Sequence, residues 1–422
     1  MKISRVMQTL EKINEFGKTD CGISRLAYSD EEQQAKFYLL EQCRNLGMKI
    51  SVDPVGNMIA RYEGLDHTLP AVAVGSHLDT VYNGGKFDGV LGVVAGLEIV
   101  RSIVEQGITT LHPIELICFA CEESSRFNFS TLGSKAMIGS LNLETLKQLK
   151  DHDGISLAHA FQKQNLHLEN YHMAERTERE LKAFFELHIE QGAKLIESGK
   201  RIGIVTGIAA PLRLAVSIEG KSSHSGTTAM GHRKDALLAA AELSLAVEEA
   251  AFAESDFETV ATVGVLDVHP CAMNVIPGLA ELKIDIRSTD IESRNRVFKK
   301  IQEEIAFLQN KRGVVIKIDW MIEEEPVMMD QGIAKTIASI CEEQGLSYMF
   351  MASGAGHDSM NMAKRWPTAL IFVPSVDGLS HHPDEYTKQE DIAAGIALLE
   401  QAVLTSAITL SKKGDSVWSR TK

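Results

Sequence analysis

Two short apolar runs constrain the fold most, because neither alternates cleanly with polar residues and each ends on groups able to do chemistry. Ala71–Gly75 leads into Ser76-His77-Leu78-Asp79, and Pro113–Ala120 leads into Cys121-Glu122-Glu123. A strand with one wet face alternates. A run apolar at nearly every position is buried on both faces, as in a parallel sheet covered by helices. Residues 4–16, 29–47 and Leu91–Val104 carry helical apolar spacing, and Lys49–Val52 and Asn57–Tyr62 read as strands. Strand and helix therefore alternate along the first part of the chain, which predicts an α/β domain.

A different pattern occupies 212–321. Leu212, Leu214, Val216 and Ile218 alternate, Ala236–Phe252 is helical, and Thr259–Leu266 is a strand. Leu282, Ile284 and Ile286 alternate again, Val297 to Leu308 has helical spacing, and Val314, Ile316 and Ile318 close the segment. The order β-α-β-β-α-β is the split βαβ, ferredoxin-like arrangement. Ile333–Glu343, Tyr348–Met351, Leu370–Val373 and Asp391–Leu410 then resume the α/β pattern. The expectation is a discontinuous domain, 1–211 plus 322–422, carrying an inserted domain at 212–321. Lys412–Lys422 is polar and is expected to fray.

At 422 residues the chain is too long for one core, which agrees with two domains. Its formal net charge of −14 argues against nucleic acid or an anionic membrane as main partner, but not against a small anionic substrate. There is no run of eighteen uninterrupted apolar residues and no apolar leader at Met1–Val6, and six cysteines are too few for a disulfide framework. The expected location is the cytoplasm.

Polar residues collect where apolar runs stop. His77 and Asp79 follow one run, Glu122 and Glu123 another, and His188 ends Phe184-Phe185-Glu186-Leu187. Asp88 lies in the glycine-bearing turn Gly84–Gly89, and His381 in Gly378-Leu379-Ser380-His381-His382-Pro383. A single imidazole at a strand end is equally a hydrogen-bonded loop histidine. Three histidines, an aspartate and a glutamate together are a ligand set for zinc, manganese or similar divalent ions. A carboxylate shared by two ions would give the two-metal hydrolytic arrangement.

Gly75–Thr80, Phe87-Asp88-Gly89, Glu122–Phe127, Glu186–Gly192, Gly356-His357-Asp358 and Ser380-His381 together resemble the amidase, hydantoinase/carbamoylase family of the M20 metallopeptidase superfamily. The resemblance runs from about 20 to 405. It implies an α/β metallopeptidase-like catalytic domain with an inserted ferredoxin-like lid and dimerisation domain. It further implies a homodimer and two divalent metal ions per subunit, zinc or manganese, with cobalt or nickel also accepted. His77, Asp88, Glu123, His188 and His381 would be the ligands, with Asp88 bridging. Glu122 would be the general base, and Asp79 would orient His77. His224, in Lys221–Thr228, would stabilise the oxyanion. Asn274 and Arg287 would hold a substrate carboxylate, and Gln191 and Gly356 would line the site. The implied reaction is hydrolysis of a ureido or other linear amide bond in N-carbamoyl-L-amino acids, allantoate or N-acyl amines. One position departs from the allantoate pattern: Ala210-Pro211-Leu212-Arg213 has proline where a glutamine-like residue is expected.

Two other signals point elsewhere. Ala215–Ser222 fits a relaxed phosphate-loop pattern but alternates like a strand. Cys118-Phe119-Ala120-Cys121 is a CxxC pair in an apolar run, with no second pair to close a zinc site. A binding protein that has lost catalysis should have lost Glu122 or a ligand, and neither is lost.

Overall fold

The computed structural model describes residues 1–408; the polar tail at 412–422 lies outside them. The described chain divides into two units. The larger comprises Met1–Thr206, Met329–Met351 and the chain from His357, and the smaller comprises Gly207–Met328 and Ala352–Gly356. The expected boundaries, 211/212 and 321/322, fall inside these limits. The segment Ala352–Gly356 was not anticipated in the smaller unit.

The larger unit is built on a mixed sheet. In order across it lie Ile202–Ile208, Thr368–Val373, Leu181–Ile189, Ala71–His77, Ile114–Phe119, Met58–Tyr62 and Lys49–Val52. Thr368–Val373, Leu181–Ile189, Ala71–His77 and Ile114–Phe119 run parallel to their neighbours within this group. The outer strands are antiparallel. Every residue of Ala71–His77, Ile114–Phe119 and Thr368–Val373 is buried, which is why these runs are apolar without alternation.

The helix Val90–Gln106 is buried at every position from Val90 to Ile103. The terminal helix Gln389–Ile408 buries Ile392, Ile396, Leu399 and Val403 in the same core. That helix is long and apolar enough to span a membrane by length and composition, yet half of its most apolar window is buried. Its apolar character is that of a core helix. Between 131 and 174 the chain forms short helices, Leu132–Met137, Leu143–Gln148 and Leu157–Lys163, and a 3-10 turn at Leu168–Ala174. They enclose their own cluster around Tyr28, Phe127 and Phe161. The sequence reading assigned nothing there.

The smaller unit has the element order β-α-β-β-α-β. Its antiparallel sheet runs Val260–His269, Leu279–Ser288, Ala210–Glu219, Val315–Glu323. Alternation along Ala210–Glu219 and Leu279–Ser288 sends Leu212, Leu214, Val216, Ala280, Leu282, Ile284 and Ile286 into a core with the helices Ala236–Phe252 and Ile291–Arg312. Asp235 and Asp290 cap those helices by accepting the N–H of Leu238 (3.1 Å) and Ser293 (2.8 Å). Ala215–Glu219 belongs to a paired strand, so the phosphate-loop reading has no loop to rest on.

Leu97 is fully buried in the larger core. Leu97→Ala should cost about 3 kcal/mol of unfolding free energy, checked by denaturant titration with the slope unchanged.

Candidate metal centre

Three adjacent parallel strands bring their carboxyl ends together. Ala71–His77 lies between Leu181–Ile189 and Ile114–Phe119. His77 and His188 sit near the ends of two of these, and Glu122-Glu123 follows the third. Ligands gather at the carboxyl ends of strands in α/β sheets.

Asp88 is the centre of the arrangement. Its Oδ1 lies 3.2 Å from His188 Nε2 and 3.5 Å from His77 Nε2. Its Oδ2 lies 3.2 Å from His381 Nε2, which is itself 3.3 Å from Glu123 Oε1. Two groups able to hold a cation therefore share Asp88: His77–Asp88–His188, and Asp88–Glu123–His381. A third group, Glu186–His188–His357, is likewise buried.

The ring tautomers suit ligation. His77 Nδ1 meets the Asp79 carbonyl at 2.9 Å and His188 Nδ1 the Ile189 carbonyl at 2.9 Å. These contacts hold Nδ1 of each ring, so that Nε2 would be the atom to ligate a cation beside Asp88. Gly89 donates its N–H to His188 Nε2 at 3.1 Å. Its φ is +66°, and a Cβ there would lie 2.3 Å from the His77 ring, so only glycine fits.

The electrostatics are those of a cation site. Asp79, Asp88, Glu122 and Glu123 are all buried. Burial pushes Glu122 well above the ordinary carboxylate range; His77 opposes this and Glu123 adds to it. Burial also pushes Asp88 up, but hydrogen bonds from His188, His381 and His77 outweigh it and hold the group well below its usual value. Hydrogen bonds to Asp88 and Glu123 push His381 up to about 11. Four carboxylates gathered away from water need compensating positive charge. Divalent cations match the imidazole and carboxylate donors.

Two residues make contacts beyond those expected of them. The Asp79 carboxylate does not hydrogen-bond His77; its Oδ1 is 3.7 Å away. It accepts instead the backbone N–H groups of Glu122 (3.2 Å) and Glu123 (2.9 Å), and so fixes the turn that presents both glutamates. Gln191, expected to line a substrate pocket, donates Nε2 to Asp88 Oδ2 at 2.9 Å and lies 3.2 Å from Ser380 Oγ.

The remaining predicted residues belong to the smaller unit. His224 is exposed, and its strand Ser223–His224 pairs with Val275–Ile276, next to the exposed Asn274. His224 Nδ1 accepts the Gly226 N–H at 3.0 Å. Arg287 grips Asp285 through Nε (3.0 Å) and Nη2 (3.1 Å), and its Nη1 donates to the Gly354 carbonyl at 2.8 Å. Arg287 is thus in a salt bridge with Asp285. Gly356 is exposed and ends the short segment Ala352–Gly356 that carries Gly354.

Sequence reasoning gave no role to Glu385, nor to Glu186 and His357, although the last two lie in the motifs that carry the resemblance. Glu385 Oε1 accepts the N–H groups of Phe87 (2.8 Å) and Asp88 (3.1 Å). Glu186 accepts from Ser76 Oγ (2.7 Å) and from Ser359 N and Oγ (3.1 and 2.6 Å). His357 is buried, with its ring centroid 4.5 Å from that of His188. The one available signal for Glu385 was Gly85, where a Cβ would strike its carboxyl at 2.3 Å. Cys118 and Cys121 are buried free thiols, and burial raises both.

The comparisons agree with this architecture. The model for peptidase family M20/M25/M40 matches residues 73–405, and the chain belongs to that family. More narrowly, it is an amidohydrolase, a hydrolase of amide C–N bonds. It is 46% identical over 407 residues to a protein of Haemophilus influenzae named an uncharacterized hydrolase, covering 96% of this chain and 99% of that one. It is 40% identical to the N-carbamoyl-L-amino acid amidohydrolase of Geobacillus stearothermophilus, covering 94% and 97%. Relatives named ureidoglycolate hydrolase in Oryza sativa and allantoate amidohydrolase in Escherichia coli are 39% and 34% identical, covering 90% and 93% of this chain and 80% and 95% of those proteins. An amidase of the hydantoinase/carbamoylase family from Burkholderia multivorans superimposes with a TM-score of 0.90 at 32% identity, covering 97% of this chain and 98% of that one.

Glu385→Ala should release the backbone that carries Asp88 and weaken metal binding by roughly 10–100-fold, read by competition with a chromogenic chelator. Unchanged affinity would remove Glu385 from the support of the centre.

Proposed function

We propose that the protein is a binuclear metal-dependent amidohydrolase that cleaves the ureido C–N bond of N-carbamoyl-L-amino acids. The observation that carries this is Asp88, whose two oxygens face two separate donor groups. His77 and His188 would complete one ion's set, and Glu123 and His381 the other's. Zinc or manganese suits these donors; cobalt and nickel are also accepted. Divalent ions held there supply Lewis acidity, making water a nucleophile near neutral pH and polarising the carbonyl.

The chain's own groups supply the remaining steps. Glu122 takes a proton from the attacking water as the O–C bond forms. It returns that proton to the leaving nitrogen as the C–N bond breaks. Asp79 fixes the backbone of Glu122 and so the direction of its carboxylate. His224, with Nδ1 accepting from Gly226, keeps a proton on Nε2 for the carbonyl oxygen. Arg287 and Asn274 hold the substrate carboxylate. Gln191 aligns Asp88, and Gly356 leaves room beside Arg287.

The relatives leave allantoate and ureidoglycolate as the competing substrates. Pro211 favours the simpler carbamoyl amino acid. It pairs directly with Arg287 across the sheet and offers no hydrogen-bonding side chain there. Ammonia release from carbamoyl L-amino acids, their D-forms, allantoate and N-acetyl amino acids decides among them, with free amine followed for the last.

The smaller unit is read as a lid and a dimerisation surface. Leu238, Leu245 and Phe252 recur every seven residues on Ala236–Phe252 and are 43%, 68% and 72% exposed. A stripe of that kind fits a second copy of the chain. The six cysteines are all free, in keeping with a reducing compartment such as the cytoplasm.

Glu122→Gln should lower kcat by about 10²–10⁴-fold with metal content unchanged by elemental analysis; retained turnover would sink the assigned base. Arg287→Ala should raise KM far more than it lowers kcat in steady-state assays. Leu245→Glu with Phe252→Glu should yield monomers by light scattering.

A further inference from the structure

The open face of the smaller unit's sheet carries a groove of about 500 Å³. Its lining includes Arg213, Lys283, Asp285 and Arg287, between Val260 and Met321. Three cations and one anion give this groove a formal charge of +2 on a chain whose net charge is −14. Farther along the same strands Lys317 closes on Glu219 at 2.7 Å.

Asp285 organises the cations. It pairs with Arg213 across the sheet and lies two residues from Arg287 on its own strand. Arg287 uses Nε and Nη2 on Asp285 and one N–H of Nη1 on the Gly354 carbonyl at 2.8 Å, so Nη1 and Nη2 each keep one N–H for a ligand. Arg213 spends only Nε on Asp285, at 2.9 Å; its two terminal nitrogens make no hydrogen bond among the described residues. Lys283 makes no ion pair among them. Burial pulls Asp285 upward, but hydrogen bonds and charge from Arg287 and then Arg213 outweigh it, so it stays anionic.

One carboxylate thus holds two guanidinium forks side by side, each with unspent donors. We infer that the substrate carries two carboxylates: Arg287 takes the α-carboxylate and Arg213 takes a side-chain carboxylate, so the preferred class is acidic N-carbamoyl amino acids. A dianion matches the groove's charge, and planar forks bind carboxylates with paired hydrogen bonds. This rests on the reading of Arg287 as the carboxylate anchor. Arg213 is then the specificity-determining residue, and Asp285 a positioning residue.

The test compares N-carbamoyl-L-aspartate with N-carbamoyl-L-asparagine, equal in size but different in charge. On metal-reconstituted enzyme, kcat/KM should favour the aspartate by at least ~10-fold, mainly through KM and less at high salt. Arg213→Gln should abolish that preference, costing the aspartate compound far more than the asparagine compound. Arg287→Ala should weaken both. Equal kcat/KM in the wild type would overturn the proposal, as would an equal loss on both substrates in Arg213→Gln. If neither compound turns over, the carbamoyl reading fails separately. Calorimetric titration of the metal-loaded Glu122→Gln protein with the same two compounds still decides the groove: tighter binding of the aspartate, lost with Arg213→Gln, supports it, and equal binding overturns it.

Discussion

The larger unit's site depends on one carboxylate being used from both sides. Asp88 directs Oδ1 to His77 and His188 and Oδ2 to His381 and Gln191. A carboxylate on a mobile loop could not serve both directions at once. The chain fixes it by holding the backbone as well as the side chain: Glu385 accepts its N–H, Gln191 donates to its Oδ2, and the next residue is a glycine pressed against His77. The parallel strands supply the other half of the constraint, since their register decides where His77, His188 and the two glutamates fall.

This concentration of acid is unfavourable to the fold by itself. Burial raises Glu122, Asp79 and Asp358, and His77 offsets only part of that. The arrangement makes sense as one completed by cations, with metal affinity and stability linked. Asp79 illustrates the economy of the design. Its carboxylate acts on two main-chain N–H groups and so controls where both glutamates point without touching the ring beside it.

The sheet of the larger unit was legible because burial on both faces removes alternation, and chemistry sits where such runs stop. His77, Glu122, Glu123 and His188 could be picked out for that reason. The smaller unit was legible for the opposite reason, since one wet face makes Leu212–Ile218 and Leu282–Ile286 alternate. Glu385 and Glu186 were not legible. Each is an ordinary glutamate in its local sequence, and its partners come from elsewhere; Glu385 and Phe87 are 298 residues apart. The short helices between 131 and 174 escaped too, being only six or seven residues long. Ala352–Gly356 could not be assigned to the smaller unit by pattern, because Gly354 belongs there through its carbonyl on Arg287.

The insertion has a consequence for how the chain is made. In the larger unit, Thr368–Val373 sits between Leu181–Ile189 and Ile202–Ile208, strands synthesised far earlier. Until it emerges, both expose the edges it will cover, and His381 and Glu385 are not yet available to Asp88. The smaller unit, apart from five residues, is continuous from Gly207 to Met328 and can close its sheet on its own. On a ribosome, where chains emerge N-terminus first, the inserted unit is thus complete while its host still waits for a strand. The unpaired strand edges in that interval are where a chaperone would act and where a truncated chain would aggregate.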